Sequence, residues 1–338
     1  MSRMINPATT DYKVMLLRGD GNKYNISQIL TDLNWQEAEG DFVQKATISL
    51  ANIKTSAGMS TEQLLSLCSL VFIFANDKEV FRGEIWEHDD ATKPNTSTVT
   101  ITICDRMIRF NQTKESVYYP EGQTTKILCE QTCQRSETPI KYSYVDYTHG
   151  KIVFKNKNVE DQLNELLTEA QSKNTGTKFV CQFEEGILKI RPRGYNADVY
   201  VLANDDNGKA CITGIEVKTS LSNFVSRVNI LGKADTDGRE PIENIIDGDL
   251  QYGVLTEIIY RDDTSTSDDA ITQANTMITE RNKPAETITF SVPDVPFIRK
   301  GHKVKCLYSE GINGYFYVLS VTHNATQRTM DLKLERAV

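Results

Sequence analysis

No stretch of this 338-residue chain is apolar for long enough to cross a membrane as a helix. The longest, Leu67–Ala75, falls far short of the roughly 20 residues a bilayer requires. The N-terminus, Met1–Asp11, lacks the apolar core of a secretory signal, so no such signal is expected. Nor is there a basic excess. The net charge is −8 and the isoelectric point about 5.2, which argues against a nucleic-acid module. Runs of Lys and Arg go no further than Arg191-Pro192-Arg193 and Arg299-Lys300. The seven cysteines are odd in number and scattered, several of them inside apolar runs. That distribution fits reduced core thiols in a cytosol-made chain better than a disulfide framework.

Recognisable chemistry is missing too. There is no Gly-x-Ser-x-Gly elbow, P-loop or His-Glu-x-x-His zinc helix. His88-Asp89-Asp90 is the densest set of potential metal ligands, but no second histidine stands at ligand spacing. It lies where a strand meets a polar loop and reads as solvated charge. Asp235-x-Asp237-Gly238 resembles a fragment of a calcium loop without its later bidentate Glu, and reads as a turn. Cys129 and Cys133 stand one helical turn apart with only His149 as a further ligand, and read as buried thiols. Glu184-Glu185, Asp262-Asp263 and Asp268-Asp269 fall in turns or at a helix start, where the dipole favours anions. No catalytic, cofactor-binding or metal-binding residue is expected.

What is present is a sheet pattern that occurs twice. The first copy is Thr47–Leu50, Leu70–Phe74, a turn, Phe81–His88, a loop and Thr98–Ile103. The second is Thr287–Phe290, Val304–Tyr308, a turn, Phe316–His323, a loop and Met330–Glu335. Both last runs alternate polar and apolar residues, the period of a half-buried strand. Order, register and turn placement agree, although the identities are few.

Residues 1–110 read as β apart from one short helix opened by Ser60-Thr61-Glu62-Gln63. Residues 111–210 read as an α+β unit with a helix at about 124–135. A second helix there is capped by Asn158, with Val159, Leu163, Leu166, Leu167 and Ala170 on one face. Residues 211–338 return to β, with a helix capped by Ser267 and ended by Lys283-Pro284. Five glycines mark turns or bends. Gly83 interrupts a continuous strand, Gly122 closes a stiff turn, Gly176 stops a helix, and Gly301 and Gly314 open strands. The expected fold is mostly β within an α+β class, with two small β-barrels flanking an inserted α+β domain.

Several of these segments resemble one family. Phe81-Arg82-Gly83-Glu84-Ile85 resembles a strand of the first barrel in phage tail hub proteins, and Tyr119–Leu128 the start of their inserted domain. Gly176–Phe179 with Glu185–Leu188 resembles that domain's hairpin. Ser222–Val228 resembles the entry to the second barrel, and Pro296–Val304 with Gly314–His323 its closing module. The family is the XkdQ/YqbQ-like baseplate hub proteins of contractile phages, defective prophages and R-type bacteriocins. It is distantly similar to late control protein D and to the trimeric hubs of larger phages.

The resemblance implies a structural protein without catalytic residues or cofactors, made in the bacterial cytoplasm and built into a virion or tail-like particle. It implies a homotrimer whose two modules per chain form a ring of six. Such a ring joins a hexameric tail tube to a threefold central spike beside other baseplate proteins, with no specific nucleic-acid binding and no membrane insertion. An acidic chain suits a lumen that DNA must pass without sticking. A second reading is a tail-tip protein that binds carbohydrate or a receptor, with Tyr142, Tyr144 and Tyr147 as its candidate aromatics. A third is a component of a cell-wall hydrolase.

Overall fold

The computed structural model describes residues 7–54, 58–93, 96–173, 178–203, 214–234, 237–261, 266–308 and 312–337. The alternating runs become strands, because each places one face on a core and the other toward solvent. The first half forms β1 (Tyr12–Leu17), β2 (Lys23–Asn25), β3 (Leu30–Ala38), β4 (Lys45–Ala51), β5 (Leu70–Ala75), β6 (Lys78–Lys93) and β7 (Thr96–Cys104). Between β4 and β5 lies the short helix α1 (Thr61–Leu64). It is closed by the expected cap: Gln63 N donates to Ser60 Oγ at 3.2 Å and Ser60 N to Gln63 Oε1 at 3.0 Å. Val14, Leu33, Trp35, Ile48, Ile73 and Ile101 meet in one core, all buried.

The middle segment carries α2 (Ile108–Gln112), β8 (Lys114–Tyr119), α3 (Thr125–Arg135), β9 (Ile140–Tyr142), β10 (Ile152–Asn158), α4 (Val159–Lys173), β11 (Phe179–Glu184) and β12 (Ile187–Pro192). The apolar face of α4 is the one its spacing indicates: Val159, Leu163, Leu166, Leu167 and Ala170 are all buried. Asn158 does not act as its cap; it ends β10, and its Oδ1 has no hydrogen-bond partner. Leu163 and Leu167 share a core with Phe42, Val43 and Cys104, so this segment packs onto the first half. Cys129 and Cys133 lie fully buried in that core.

After β13 (Tyr200–Ala203) come β14 (Gly214–Ser220), β15 (Arg227–Leu231), β16 (Ile242–Asp247), β17 (Thr256–Tyr260) and α5 (Ser267–Arg281). The chain ends with β18 (Ala285–Pro293), β19 (Lys303–Leu307), β20 (Asn313–Asn324) and β21 (Thr329–Arg336). Two compact units result, residues 1–215 with 289–338, and residues 216–288. The smaller holds the sheet β16–β15–β17, with α5 packed on one face through Ala270 and Ala274 against Val228, Ile230 and Ile259. Helix α5 starts one residue earlier than expected. Thr266 and Asp269 form the capping box, and Ser267 is the first helical residue.

In the larger unit the duplicated pattern pairs in one order both times: β4–β7–β6–β5 in the first copy and β18–β21–β20–β19 in the second. The two copies do not close as barrels. A single open sheet runs β14–β18–β21–β20–β3–β4–β7–β6–β5–β1–β2, with β19 branching from β20 and β13 pairing β19. The edge of β3 that a closed first barrel would need is occupied by β20, with His323 opposite Trp35 and Val321 opposite Glu37. This corrects the expected pair of β-barrels; the mostly β, α+β character stands.

Buried charge accompanies that join. Glu37, 3% exposed, accepts from Arg299 Nε at 2.7 Å, Arg299 Nη2 at 2.9 Å and Lys300 N at 2.9 Å. Burial pushes its carboxyl up, but the Arg299 guanidinium and Lys300 outweigh that and hold it below the usual range. Arg299 also reaches Glu184 at 3.7 Å, and Glu184 accepts from Lys189 at 2.7 Å and Arg191 at 2.5 Å. Burial opposes ionisation there too, yet Arg299 and Arg191 lower Glu184 to about 2. Burial and the nearby Arg299 push His302 down to about 4, so it is neutral in the fold.

Four of the five glycines fall within the described residues; Gly176 lies outside them. Gly83 sits in β6 where a Cβ would come within 2.5 Å of the Cys104 carbonyl oxygen, so adjacent backbone leaves no space. Gly122 takes φ +88 with nothing within 4 Å of a Cβ. Gly301 lies in the turn before β19 against Val180, and Gly314 lies at the start of β20.

Gly83→Ala is expected to cost roughly 3 kcal/mol through overpacking, while Gly122→Ala costs only about 1 kcal/mol from its backbone conformation. Urea midpoints compare the two, and equal costs would contradict the close approach at Gly83. Arg299→Ala, which leaves Glu37 buried and unpaired, is expected to cost about 3–5 kcal/mol. Both Glu184 and His302 have lowered folded pKa values, so their contribution is present near neutrality and lost in acid. For His302 the loss runs from its unfolded value of 6.5 down to about 4, and for Glu184 from 4.5 down to about 2. Glu184→Gln is expected to flatten the lower limb of stability against pH, followed by denaturant midpoints from pH 7 to pH 3.

Candidate functional site

The side chains that look most like chemistry are histidines, and the fold uses them as latches. His149 Nε2 lies 2.7 Å from Thr125 Oγ1 and its Nδ1 2.9 Å from Glu169 Oε2, the connectivity of a nucleophile, base and orienting acid. Thr125 is fully buried and its hydroxyl also donates to the Tyr147 carbonyl at 3.2 Å. No substrate reaches that oxygen. The three residues tie the 147–149 segment to α3 and α4. Sequence inspection named His149 only as a stray metal ligand; the signal it lacked was the pairing of Thr124 with Thr148 that brings His149 under α3.

His323 forms the second latch. It is fully buried, stacks on Trp35 at 4.5 Å, and has Asp294 Oδ1 2.6 Å from Nδ1 and the Ile298 carbonyl 3.1 Å from Nε2. A carbonyl only accepts, so Nε2 carries a proton. Tyr12 donates to the other Asp294 oxygen. These hydrogen bonds fix the 294–298 turn and β1 to β20, and the ring stack holds β20 against β3.

The remaining candidates are dispersed. Asp89 is exposed on β6 and His88 is half-buried with an unpaired Nε2; the Asp90 side chain lies outside the described residues. The turn at Asp237 and Gly238 is described but Asp235 is not. Among the described residues no three His, Cys, Asp or Glu side chains converge as metal ligands. Tyr142 donates to the Val145 carbonyl at 2.6 Å, Tyr144 packs edge-on against Phe179, and Tyr147 against His149. These three rings do not form an exposed stacking platform.

A cavity of about 210 Å³ opens between the β3–β4 turn, α4 and β11, with Asp41, Asn164, Thr168, Lys178, Arg193 and Lys300 in its wall. Its cations are already engaged. Arg193 is paired with Glu39 and Glu335, and Lys300 Nζ with the Asp41 carbonyl. It reads as a packed crevice joining the inserted segment to the repeat.

What the molecule offers instead is surface. In the smaller unit, Ile242, Ile245, Ile258 and Tyr260 are 44–63% exposed on the strands that sandwich β15. Arg227 pairs with Asp247 and Arg261 with Glu243 on the same sheet, leaving it without net charge from those groups. In the larger unit, β13 ends a branch of the sheet with Val201 exposed beside Lys305 and Tyr315. Exposed apolar sheet faces and open strand edges are features of proteins that function in contact with others.

Comparison with solved structures finds this fold in tail proteins. The tail protein from Neisseria meningitidis MC58 superposes with a TM-score of 0.73 at 12% identity, over 96% of each chain. The 43 kDa tail protein of prophage MuSo2 from Shewanella oneidensis gives 0.72 at 12% identity, over 96% of this chain and 98% of that one. An Escherichia coli component of the type VI secretion system, described as structurally similar to the T4 tail proteins gp27 and gp5, gives 0.57 at 9% identity. That match covers 98% of this chain and 75% of the other. At such identities the likeness establishes a shared fold. No curated protein matches in sequence. The family model described as YQBQ-like matches residues 33–335, which takes in both copies of the repeat and everything between them. The chain belongs to the YQBQ-like family.

Proposed function

We propose that this chain is the structural hub of a contractile-tail baseplate, a homotrimer whose six sheet modules form a ring between a hexameric tail tube and a threefold spike. The observation that carries this reading is the repeat: two modules of identical strand order in one chain, joined edge to edge by β20 and β3. A duplicated module in a trimer presents six similar units to one partner and three to another. Family membership and the fold shared with tail proteins support it.

In this reading residues 1–110 and 211–338 supply the two modules and 111–210 the inserted one. The work is self-association and docking. Its partners are the tail tube, the central spike and neighbouring baseplate proteins, and it is made in the bacterial cytoplasm before joining the particle. No observation favours catalysis or carbohydrate binding, because the His149 triad is sealed and the three tyrosines are engaged internally.

Light scattering across a concentration series, alone and with the neighbouring tube and spike proteins, tests the reading. A mass of three 38.1 kDa chains is expected, with a six-lobed ring in negative stain. A monomer that persists with both partners present would overturn it.

A further inference from the structure

The intrachain seam implies a second one. Within a chain, Ser320–Asn324 of β20 pair antiparallel with Asn34–Ala38 of β3. The hydrogen bonds beside each short strand equate Ile85 with Val318: Cys68 N donates to the Ile85 carbonyl and Ile85 N to the Ser69 carbonyl, as Gly301 N donates to the Val318 carbonyl and Val318 N to the His302 carbonyl. Both strands bulge at the next residue, so Glu87–Ala91 of β6 take the place of Ser320–Asn324. Among the described residues that part of β6 has an open edge. β5 pairs with β6 only as far as Glu84, Ser69 adds a bond to Ile85, and β7 occupies the opposite edge out to Lys93.

The counterpart of β3 is β14. It neighbours β18 in the sheet as β3 neighbours β4, but among the described residues it ends the sheet where β3 is covered on both edges. Burial differs accordingly. Leu33, Trp35 and Glu37 of β3 are buried, whereas β14 buries no residue, and Val217 is 49% exposed. The strand still alternates, with Ile215 and Val217 on one face and Glu216 and Lys218 on the other. It is patterned for a neighbour.

We propose that β6 of one copy pairs antiparallel with β14 of the next, so that three chains close one continuous sheet. This rests on the trimeric-hub reading. The contact is heterologous, an acceptor edge meeting a different donor edge, as cyclic closure requires. Gly214 fixes the alignment of β14, since a Cβ there would lie 3.6 Å from Ser291 Cβ on β18. Ser291 bonds Asp331 through its hydroxyl as Ser49 meets Thr100, so Ser291 matches Ser49 and Gly214 matches Asp32. Transferring the β20–β3 register then sets His88, in the place of Val321, opposite Thr219, and Asp89, in the place of Thr322, opposite Lys218. Asp89 and Lys218 are exposed and opposite in charge. His88 Nε2, buried without a hydrogen-bond partner in the single chain, then stands opposite Thr219, whose hydroxyl supplies one.

The test uses the full chain with Cys68, an exposed thiol, and Cys211, which lies outside the described residues, both replaced by Ser. Asp89→Cys with Lys218→Cys in one chain, oxidised, is expected to give covalent dimer and closed trimer on non-reducing gels. Facing residues in an antiparallel pair fall within disulfide reach. Separately, Asp89→Lys and Lys218→Asp should each weaken association roughly tenfold, and the double exchange should restore it. Trimers by light scattering without cross-links or charge rescue would overturn the seam and leave the hub reading standing. Absence of trimers even with tube and spike proteins would overturn both.

Discussion

The pairing of β20 with β3 is the constraint on which the rest of the molecule depends. It joins residues nearly the whole chain apart in sequence, so closing it costs chain entropy that local contacts cannot offset. The structure answers with concentrated interactions at the join: the Trp35–His323 stack, the His323–Asp294–Tyr12 chain of hydrogen bonds, and the bidentate Glu37–Arg299 pair. A one-residue slip would turn Trp35 and Glu37 to the opposite face and leave Arg299 buried without its carboxylate. The planar guanidinium fits the Glu37 oxygens in one geometry, so the charge fixes register where apolar contacts alone would tolerate several.

The same network brings the inserted segment under the control of the join. Glu184 from β11 and Arg191 from β12 share charges with Arg299, and Gln182 donates to the Lys300 carbonyl at 3.0 Å. Cys104 at the end of β7 shares a core with Cys129, Cys133 and Cys181 of the inserted segment. Burial raises all four thiols, which keeps them protonated and inert as packing groups. In the hub proposed above, modules must be held rigidly, and both cores and the buried ions hold them so.

Much of this was legible from the residues, and the parts that were not share a cause. Strand positions, the amphipathic face of α4 and the Ser60 capping box follow from local periodicity and from hydroxyls at helix starts. The repeat was legible because alternation survives divergence. Which edge meets which was not, since Phe316–His323 reads the same whether β20 closes a barrel or reaches β3. The clue lay in β3 itself: Glu37 occurs in phase with Leu33 and Trp35, and a carboxylate on a core face demands a buried cation. Arg299-Lys300 stood out only as a short basic run. Asn158 and Ser267 failed as caps because the neighbouring strand and Thr266 claim those positions, a choice of one residue that composition does not settle.

The two copies also differ in a manner that bears on assembly. Their strand order is the same, yet β3 buries Leu33, Trp35 and Glu37 while β14 buries no residue. Had both copies evolved only for stability of a lone chain, the second leading strand would be expected to bury an apolar face as the first does. A seam tethered within one chain forms at high effective concentration and can be built from buried aromatics and ions. A seam between chains forms only when copies meet, so its strands must stay soluble beforehand, and exposed charges such as Asp89 and Lys218 on open edges guard against indiscriminate pairing. The asymmetry between the copies matches the proposed ring, closed partly by covalent linkage and partly by association.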